Sequence, residues 1–405
     1  MGSKPIRPHS LGLSIGLAVV GMLFGSSVVW PALWSNTHGF PTYYVSARLI
    51  FDGRWNSRVY ENTWFSAQVQ DITQGRVSEI FAPNPPPAAF WILPLVWLDL
   101  PTARIVWIAL NALALAVVGW GALKNEPWAL RFDTGWVWMP LALLFYTPLR
   151  ETFRLGQVYV ALLSLFALAF WALTKPSPIV AGIALGMAAG LKLSGLPLLA
   201  WLAFRGWWLV FWSAAVTAVA IGLFSVWLVG GESWLRFGGS VIEHLRSHPQ
   251  AAVTAFQTTP SFFQHLWVAD PVWNPQPVAH WPWAAPLTSL GLTAAAFGWT
   301  LWKSRRVKWE VTFAALMVLS VICFPLAEEY HYTLLLLPAL VAARCLRQQC
   351  WPLGLTLWFG LSLFLLACPW DYKQPAWFDG WRALLAYPRL YGGWLLWAWL
   401  AWRND

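Results

Sequence analysis

The 405 residues are 58% hydrophobic and 11% charged, whereas a water-soluble domain carries about 25% charged side chains. That leaves too little polar surface to keep a chain of this length in water, which excludes a free aqueous domain and a disordered tail alike. A formal net charge of +9 would suit nucleic acid in a soluble protein. Here most basic residues sit in short connections between apolar runs, so the charge reads as membrane orientation and no nucleic-acid partner is expected.

Runs near the roughly 20 residues that cross a bilayer recur along the chain, as at Leu11 to Leu33, Ile105 to Leu123, Val158 to Leu173 and Trp207 to Val229. They predict an all-α polytopic membrane protein, one domain over 1–405 with about 12 transmembrane helices in the cytoplasmic membrane. Lys4 and Arg7 precede a first run too long for a signal-peptide core, which is read as a retained helix. Placing those cations in the cytoplasm puts the far end of the helix outside. Residues 34–81 then form a first external loop whose middle, YYVSARLIFDGRWNSRVYENTWFSAQV, is amphipathic and predicts helices lying at the interface.

Further apolar segments are expected near 88–99, 103–123, 136–149, 157–174, 178–204, 207–229, 285–302, 309–324, 332–343, 352–368 and 383–402. Arg205, the Lys303 to Lys308 cluster, Arg344, Arg347 and Arg403 are consistent as cytoplasmic residues, which places a second external loop at 230–284. Lys124, Arg131 and Lys175 cannot all be inside if every segment between 88 and 204 crosses once. One segment is therefore broken or re-entrant: 136–149, which holds Pro140 and Pro148, or 178–204, where GLKLSGLP interrupts the run. Many of the 34 tryptophans stand where apolar runs end, as an aromatic belt would. Cys323, Cys345, Cys350 and Cys368 have no metal-site spacing and read as packing residues.

An ionisable group inside a span costs about 2.5–3.5 kcal/mol on insertion scales, so each is a functional candidate. In PLRETFRLGQ, residues 148–157, Arg150, Arg154 and Gln157 lie between apolar helices, as an anion site or as a connection with snorkelling arginines. Lys192 is a lone cation in GMAAGLKLSGLPLL, facing an anion or snorkelling to an interface. In FPLAEEYHYTLLLLPAL, residues 324–340, Glu328, Glu329 and His331 can share a proton or simply start a helix. His244, His248 and His265, with Gln257 and Ser261, lie in a loop that reads as solvated or as a substrate lid. Their spacing is no metal site, and no metal or cofactor is expected. Buried cations with carboxylates and imidazoles nearby call for an amphiphilic, lipid-borne, phosphorylated substrate.

Five segments taken in order resemble glycosyltransferase family 87 of the GT-C superfamily, which contains polyprenyl-phosphate-mannose-dependent α-mannosyltransferases. They are GFPTYYVSARLIFDG, FAPNPPPAAFWILPL, RLGQVYVALLSL, GIALGMAAGLKLSGLPLL and FPLAEEYHYTLLLLPAL. The resemblance implies a hexose, mannose in such relatives, moved with inversion from a polyprenyl-phosphate-linked donor to a glycan or glycolipid acceptor outside the membrane. The family's first-loop aspartate, its general base, aligns with Gly39 here. Tyr159 stands at the asparagine of its GQxN motif, and Tyr330 at one of its paired histidines.

Stabilising a departing phosphate is assigned to Lys192 and Arg154, with Arg150 nearby. The base role is assigned first to Glu329 and His331 and then to His38 and Asp52. Tyr43 and Tyr44 are candidates for stacking on sugar or prenyl, with interface anchoring as the alternative, and Gln157 for hydrogen bonding to substrate. Two other readings stay open: a transporter or flippase of lipid-linked sugars, and an inactive relative that binds polyprenyl phosphate.

Overall fold

The computed structural model describes residues 16, 18–35, 37–82, 84–125, 144–175, 177–245, 253–348 and 352–402. Lys4, Arg7, Arg131, most of the 136–149 segment, His248, Cys350 and Arg403 lie outside the described residues, as do the side chains of Lys124 and His244. Among the described residues the fold is all-α: no strand forms, and the one β-bridge joins Asp270 to Asn274.

The chain opens with helix α1, Ala18–Leu33, which includes a π-helical stretch at Gly25–Val29. Helices α2 (Phe40–Phe51) and α3 (Asn62–Thr73) follow. Helix α2 does not lie on an interface, because Phe40, Tyr43, Val45, Ala47 and Leu49 are all buried in the protein. The expected span near 88–99 is instead a pair of 3-10 turns, Pro86–Trp91 and Leu93–Leu95. Pro85, Pro86, Pro87 and Pro94 supply no backbone N–H, and no regular α-helix can run through them.

Helices α4 (Leu100–Asn125), α5 (Thr147–Leu155) and α6 (Tyr159–Leu173) come next. The 178–204 segment is broken: α7 (Pro178–Lys192) stops at Leu193, whose φ of 59° is left-handed, and α8 starts anew at Leu196–Phe204. Then follow α9 (Trp208–Val229), α10 (Gly231–Leu245), α11 (Thr259–Trp267), α12 (Ala284–Lys303) and α13 (Trp309–Ile322). A 3-10 turn at Glu329–Leu335 leads into α14 (Leu336–Gln348), followed by α15 (Leu353–Ala367) and α16 (Pro388–Ala401).

Among the described residues two helices are long and apolar enough to cross a membrane, over Leu100–Ala122 and Trp208–Val229. Only 17% of the most apolar window of each is buried in the protein, so they are not core helices of a soluble body. Leu110, Leu113, Val117 and Trp120 line one exposed stripe of α4, and Trp212, Val216, Val219, Leu223 and Trp227 an exposed face of α9. Five further apolar helices are shorter: α1, α6, α7, α13 and α15.

Helix α7 packs along α9 through a stripe of glycines. A Cβ at Gly182 would stand 2.5 Å from Ser213 Cβ, and one at Gly186 2.6 Å from Thr217 Cβ, so the two backbones are in direct contact. The stretches 34–81 and 230–284 also meet. Trp55 Nε1 donates to Ser233 Oγ at 3.0 Å and Ser57 Oγ to Glu232 Oε1 at 2.8 Å, pinning 34–81 to the start of 230–284. Within that second stretch Gln257, Ser261 and His265 are buried rather than solvated. His265 Nδ1 meets Tyr387 Oη at 3.1 Å and its Nε2 meets the Phe378 carbonyl at 2.7 Å, so its task is structural.

Gly186→Leu is expected to destabilise the detergent-solubilised protein by about 1–3 kcal/mol through overpacking, read as a lower thermal midpoint. An unchanged midpoint would mean that α7 and α9 do not touch along this stripe.

Candidate functional site

A cavity of about 500 Å³ opens where α2, the segment from Glu79 to Pro85, α7 and the Glu329–Leu335 turn converge. Its polar wall carries Glu79, Asn84, Gln157, Lys192, Glu328 and His331, and its remaining lining is mostly apolar, with Leu196 and Pro197 of α8, Phe237 and Val241 of α10, Phe297 of α12 and Leu319 of α13. The volume is in the roughly 300–1,000 Å³ range of small-molecule sites.

The helix break delivers the cation. Because α7 ends at Lys192 and Leu193 turns left-handed, the ammonium enters the cavity instead of continuing along an apolar helix. Its Nζ donates to Tyr43 Oη at 3.1 Å and to Asn84 Oδ1, and lies 5.4 Å from the Tyr43 ring centre and 5.9 Å from that of Tyr159. Tyr43 Oη in turn donates to Gln157 Oε1 at 2.9 Å. Among the described residues no carboxylate forms an ion pair with Lys192. With only neutral partners, no carboxylate competes with an incoming anion for this side chain.

Gln157 is placed by a tight turn after α5. Gly156 takes a φ of +63°, and a Cβ there would stand 2.8 Å from Phe40 Cβ. Trp107 Nε1 holds the Gly156 carbonyl at 2.9 Å, and the buried Arg104 donates to the Arg154 carbonyl at 2.6 Å and the Ala32 carbonyl at 3.1 Å.

The turn after α13 completes the polar wall. The Glu328 backbone N–H donates to His331 Nδ1 at 3.1 Å, so a neutral His331 carries its proton on Nε2. The His331 ring stacks on Tyr330 at 4.7 Å and lies 4.3 Å from Tyr159, between centroids. Tyr330 Oη donates to Glu328 Oε1 at 2.9 Å. Burial pushes the Glu328 carboxyl up and the charge of Glu79 adds to this, against the lowering effects of the Tyr330 hydroxyl and Lys373.

Glu79, from the segment between α3 and the proline-rich turns, brings a second carboxylate beside Gly39. Its Oε1 accepts the Gly39 N–H and stands 3.5 Å from His38 Nδ1. Burial raises its pKa, although the Gly39 N–H, His38 and the Thr42 hydroxyl favour the anion. Gly39 itself has a φ of +100°, and a Cβ on it would lie 2.6 Å from the Leu155 carbonyl oxygen and 2.9 Å from Gln157 Nε2.

The structure gathers Lys192, Tyr43, Gln157 and His331 on this cavity and leaves the other expected residues off it. Glu329 faces the opposite way. Its Oε1 takes Arg389 Nη2 at 2.7 Å and Nε at 3.1 Å, and its Oε2 takes Tyr372 Oη at 3.1 Å. Burial alone would raise this carboxyl, but the Arg389 guanidinium holds it below the ordinary carboxylate range. Asp52 pairs with Arg48 at 2.9 Å at the far end of α2, and Arg154 pairs with Glu151 at 2.6 Å. Arg150 is exposed, and Tyr44 Oη donates to the Leu98 carbonyl at 2.7 Å. His38 is 70% exposed and touches the site only through Glu79.

Sequence reasoning missed Glu79 and Asn84 and ranked Glu329 above Glu328. Adjacent acids cannot be told apart from spacing alone, because the backbone turn decides which faces inward. For Glu79 a signal existed: it is the last acid before the apolar, proline-rich run FAPNPPPAAF.

The architecture is therefore a helical body with lipid-compatible faces and an open cavity, polar at one wall and apolar elsewhere. The model of glycosyltransferase family 87 matches residues 81–325, more than half of the chain, and the protein belongs to that family. No curated protein and no solved structure matches the chain. Asn84, Gln157 and Lys192 fall inside the matched span, whereas Gly39, Glu79, Glu328 and His331 fall outside it.

Glu329→Gln is expected to act on stability, because removing one partner of a buried ion pair costs about 3–5 kcal/mol. The lowered Glu329 pKa means that the pair stabilises the protein above the unfolded carboxyl pKa and fades as pH falls through the folded value. Thermal melts across acidic pH should show a flatter profile in the variant, and coincident profiles would contradict the pairing. Gly39→Asp is expected to displace the turn at Leu155–Gln157 and to lower both the melting point and any transfer activity. A variant as stable as the wild type would show that the site has room for a side chain there.

Proposed function

We propose that the protein is a multi-pass membrane glycosyltransferase whose donor is a polyprenyl-phosphate-linked hexose. Mannose is the sugar that the resemblance to α-mannosyltransferases implies, and a glycan or glycolipid takes it with inversion. The observation that carries this reading is the unpaired Lys192 ammonium at the boundary between the polar and apolar linings of one cavity. An isoprenoid phosphate needs that combination, an oily groove for the chain and a cation for the headgroup.

Family membership makes the chain a glycosyltransferase, and lipid is the natural solvent for the exposed leucine, valine and tryptophan faces of α4 and α9. The two linked loops, 34–81 and 230–284, then lie on the extracytoplasmic side together with the mouth of the cavity. As the sugar leaves, negative charge grows on the phosphate oxygen once bonded to C1. Lys192, steadied by Tyr43 and Asn84, is placed to stabilise that charge. Attack from the face opposite the phosphate inverts the anomeric centre in one displacement.

Lys192→Met should weaken binding of polyprenyl-phosphate mannose by about 10- to 100-fold, the equivalent of a charged hydrogen bond of about 1.5–3 kcal/mol, with little change in thermal midpoint. Titration of labelled donor into detergent-solubilised protein measures this. Unchanged affinity would remove the phosphate from Lys192.

A further inference from the structure

Transfer to a hydroxyl needs a group that takes its proton as the new bond forms, and that group must be within hydrogen-bond reach of the reacting centre. Among the described residues two carboxylates line the cavity, Glu79 and Glu328. Their surroundings differ in three ways that matter for this task.

Glu79 is held at the N-terminus of α2, where the Gly39 N–H and the Thr42 hydroxyl stabilise the carboxylate form. These helix-end donors favour the carboxylate form and so oppose the effect of burial, without outweighing it. Glu328 instead accepts a tyrosine hydroxyl, and its own backbone N–H is tied to His331 in the turn that starts the 3-10 helix. Its carboxylate is therefore part of a cap and less free to meet an acceptor. Finally, Glu79 has a route to water. His38 Nδ1 stands 3.5 Å from Glu79 Oε1, and the His38 side chain is 70% exposed while that of Glu79 is 16% exposed.

We propose that Glu79 is the general base of this enzyme and that His38 relays the proton from it to solvent, an inference that rests on the glycosyl-transfer reading above. The acceptor oxygen bonds to C1 of the sugar as the bond from C1 to the phosphate oxygen breaks, and the electron pair of that bond stays on the departing polyprenyl phosphate. The hydroxyl proton passes to a Glu79 oxygen, then to His38 and to water. The charge stays balanced: a phosphodiester monoanion and a neutral alcohol give a glycoside, a phosphate monoester dianion and one released proton. Gly39 belongs to this arrangement because its backbone N–H holds the Glu79 carboxylate on the cavity lining, while the lack of a side chain lets the Leu155–Gln157 turn pack against it.

The test measures donor binding and single-turnover transfer from polyprenyl-phosphate mannose in the full-length protein. Glu79→Gln keeps an acceptor for the Gly39 N–H and should lower transfer by about 100-fold or more with donor affinity unchanged. Glu79→Asp should recover part of the rate, and Glu328→Gln should lose less than Glu79→Gln. His38→Ala should slow turnover and recover with added imidazole, which a merely structural histidine would not do. If Glu79→Gln transfers within tenfold of the wild type, or Glu328→Gln suffers the larger loss, Glu79 is not the base although the enzyme reading stands. A failure of imidazole to restore His38→Ala removes His38 from the proton route. If the wild type transfers to no acceptor and Lys192→Met binds donor as the wild type does, the glycosyl-transfer reading falls and the base falls with it.

Discussion

The ammonium of Lys192 is the charge around which the site is arranged. A cation at the end of an apolar helix is costly unless it finds polar partners or an anion. Here three features answer that cost together: the helix stops at Lys192, Leu193 turns the chain left-handed, and the first loop and the segment just after it fold inward to offer Tyr43 and Asn84. The glycine stripe of α7 against α9 holds this helix end in place, since close backbone contact leaves little room to shift along or around the axis. Packing at Gly182 and Gly186 and chemistry at Lys192 are thus parts of one constraint.

A second frame holds the far wall. Arg389, 1% exposed, binds Glu329, the Cys368 carbonyl at 2.6 Å, the Leu365 carbonyl at 2.8 Å and Thr147 Oγ1 at 2.7 Å. One guanidinium therefore ties the turn after α13 to the start of α5, the end of α15 and the start of α16. Gln257 extends this frame by taking the Ala327 carbonyl with its backbone N–H and accepting the Arg389 N–H. With Glu329 turned into the frame, its neighbour Glu328 is left facing the cavity. Glu328 is the extended residue that caps the 3-10 turn and Glu329 is the first residue inside it, so the two side chains leave the backbone in different directions.

The cavity divides in the same way along the chain. The span matched by the family model contains the part of the lining with Lys192, Asn84 and Gln157, and ends at residue 325, short of Glu328 and His331. It also begins two residues after Glu79. The walls that carry carboxylates therefore come from segments outside the match. An arrangement in which Gly39 provides a backbone N–H and another residue provides the carboxylate is compatible with membership of the family.

Composition and run length by themselves determined the all-α class and most of the apolar helices, and narrowed the broken segment to 136–149 or 178–204, because each depends on local residue content; that α7 stops at Lys192 was decided by the fold. Prolines 85 to 87 and 94 were equally legible as helix breakers, although the apolar character of 88–99 was read as a span. What the linear chain could not determine was direction: whether Glu328 or Glu329 faces inward, whether Arg154 meets substrate or Glu151, and whether the His265 loop is solvated or buried. Those outcomes depend on turns of a single residue and on partners such as Arg389 and Tyr387, dozens to hundreds of positions away. The carboxylate at Glu79 is the plainest case. It lies 40 residues from Gly39 in sequence, and only the folding of the first loop onto the N-terminus of α2 brings the two within a hydrogen bond.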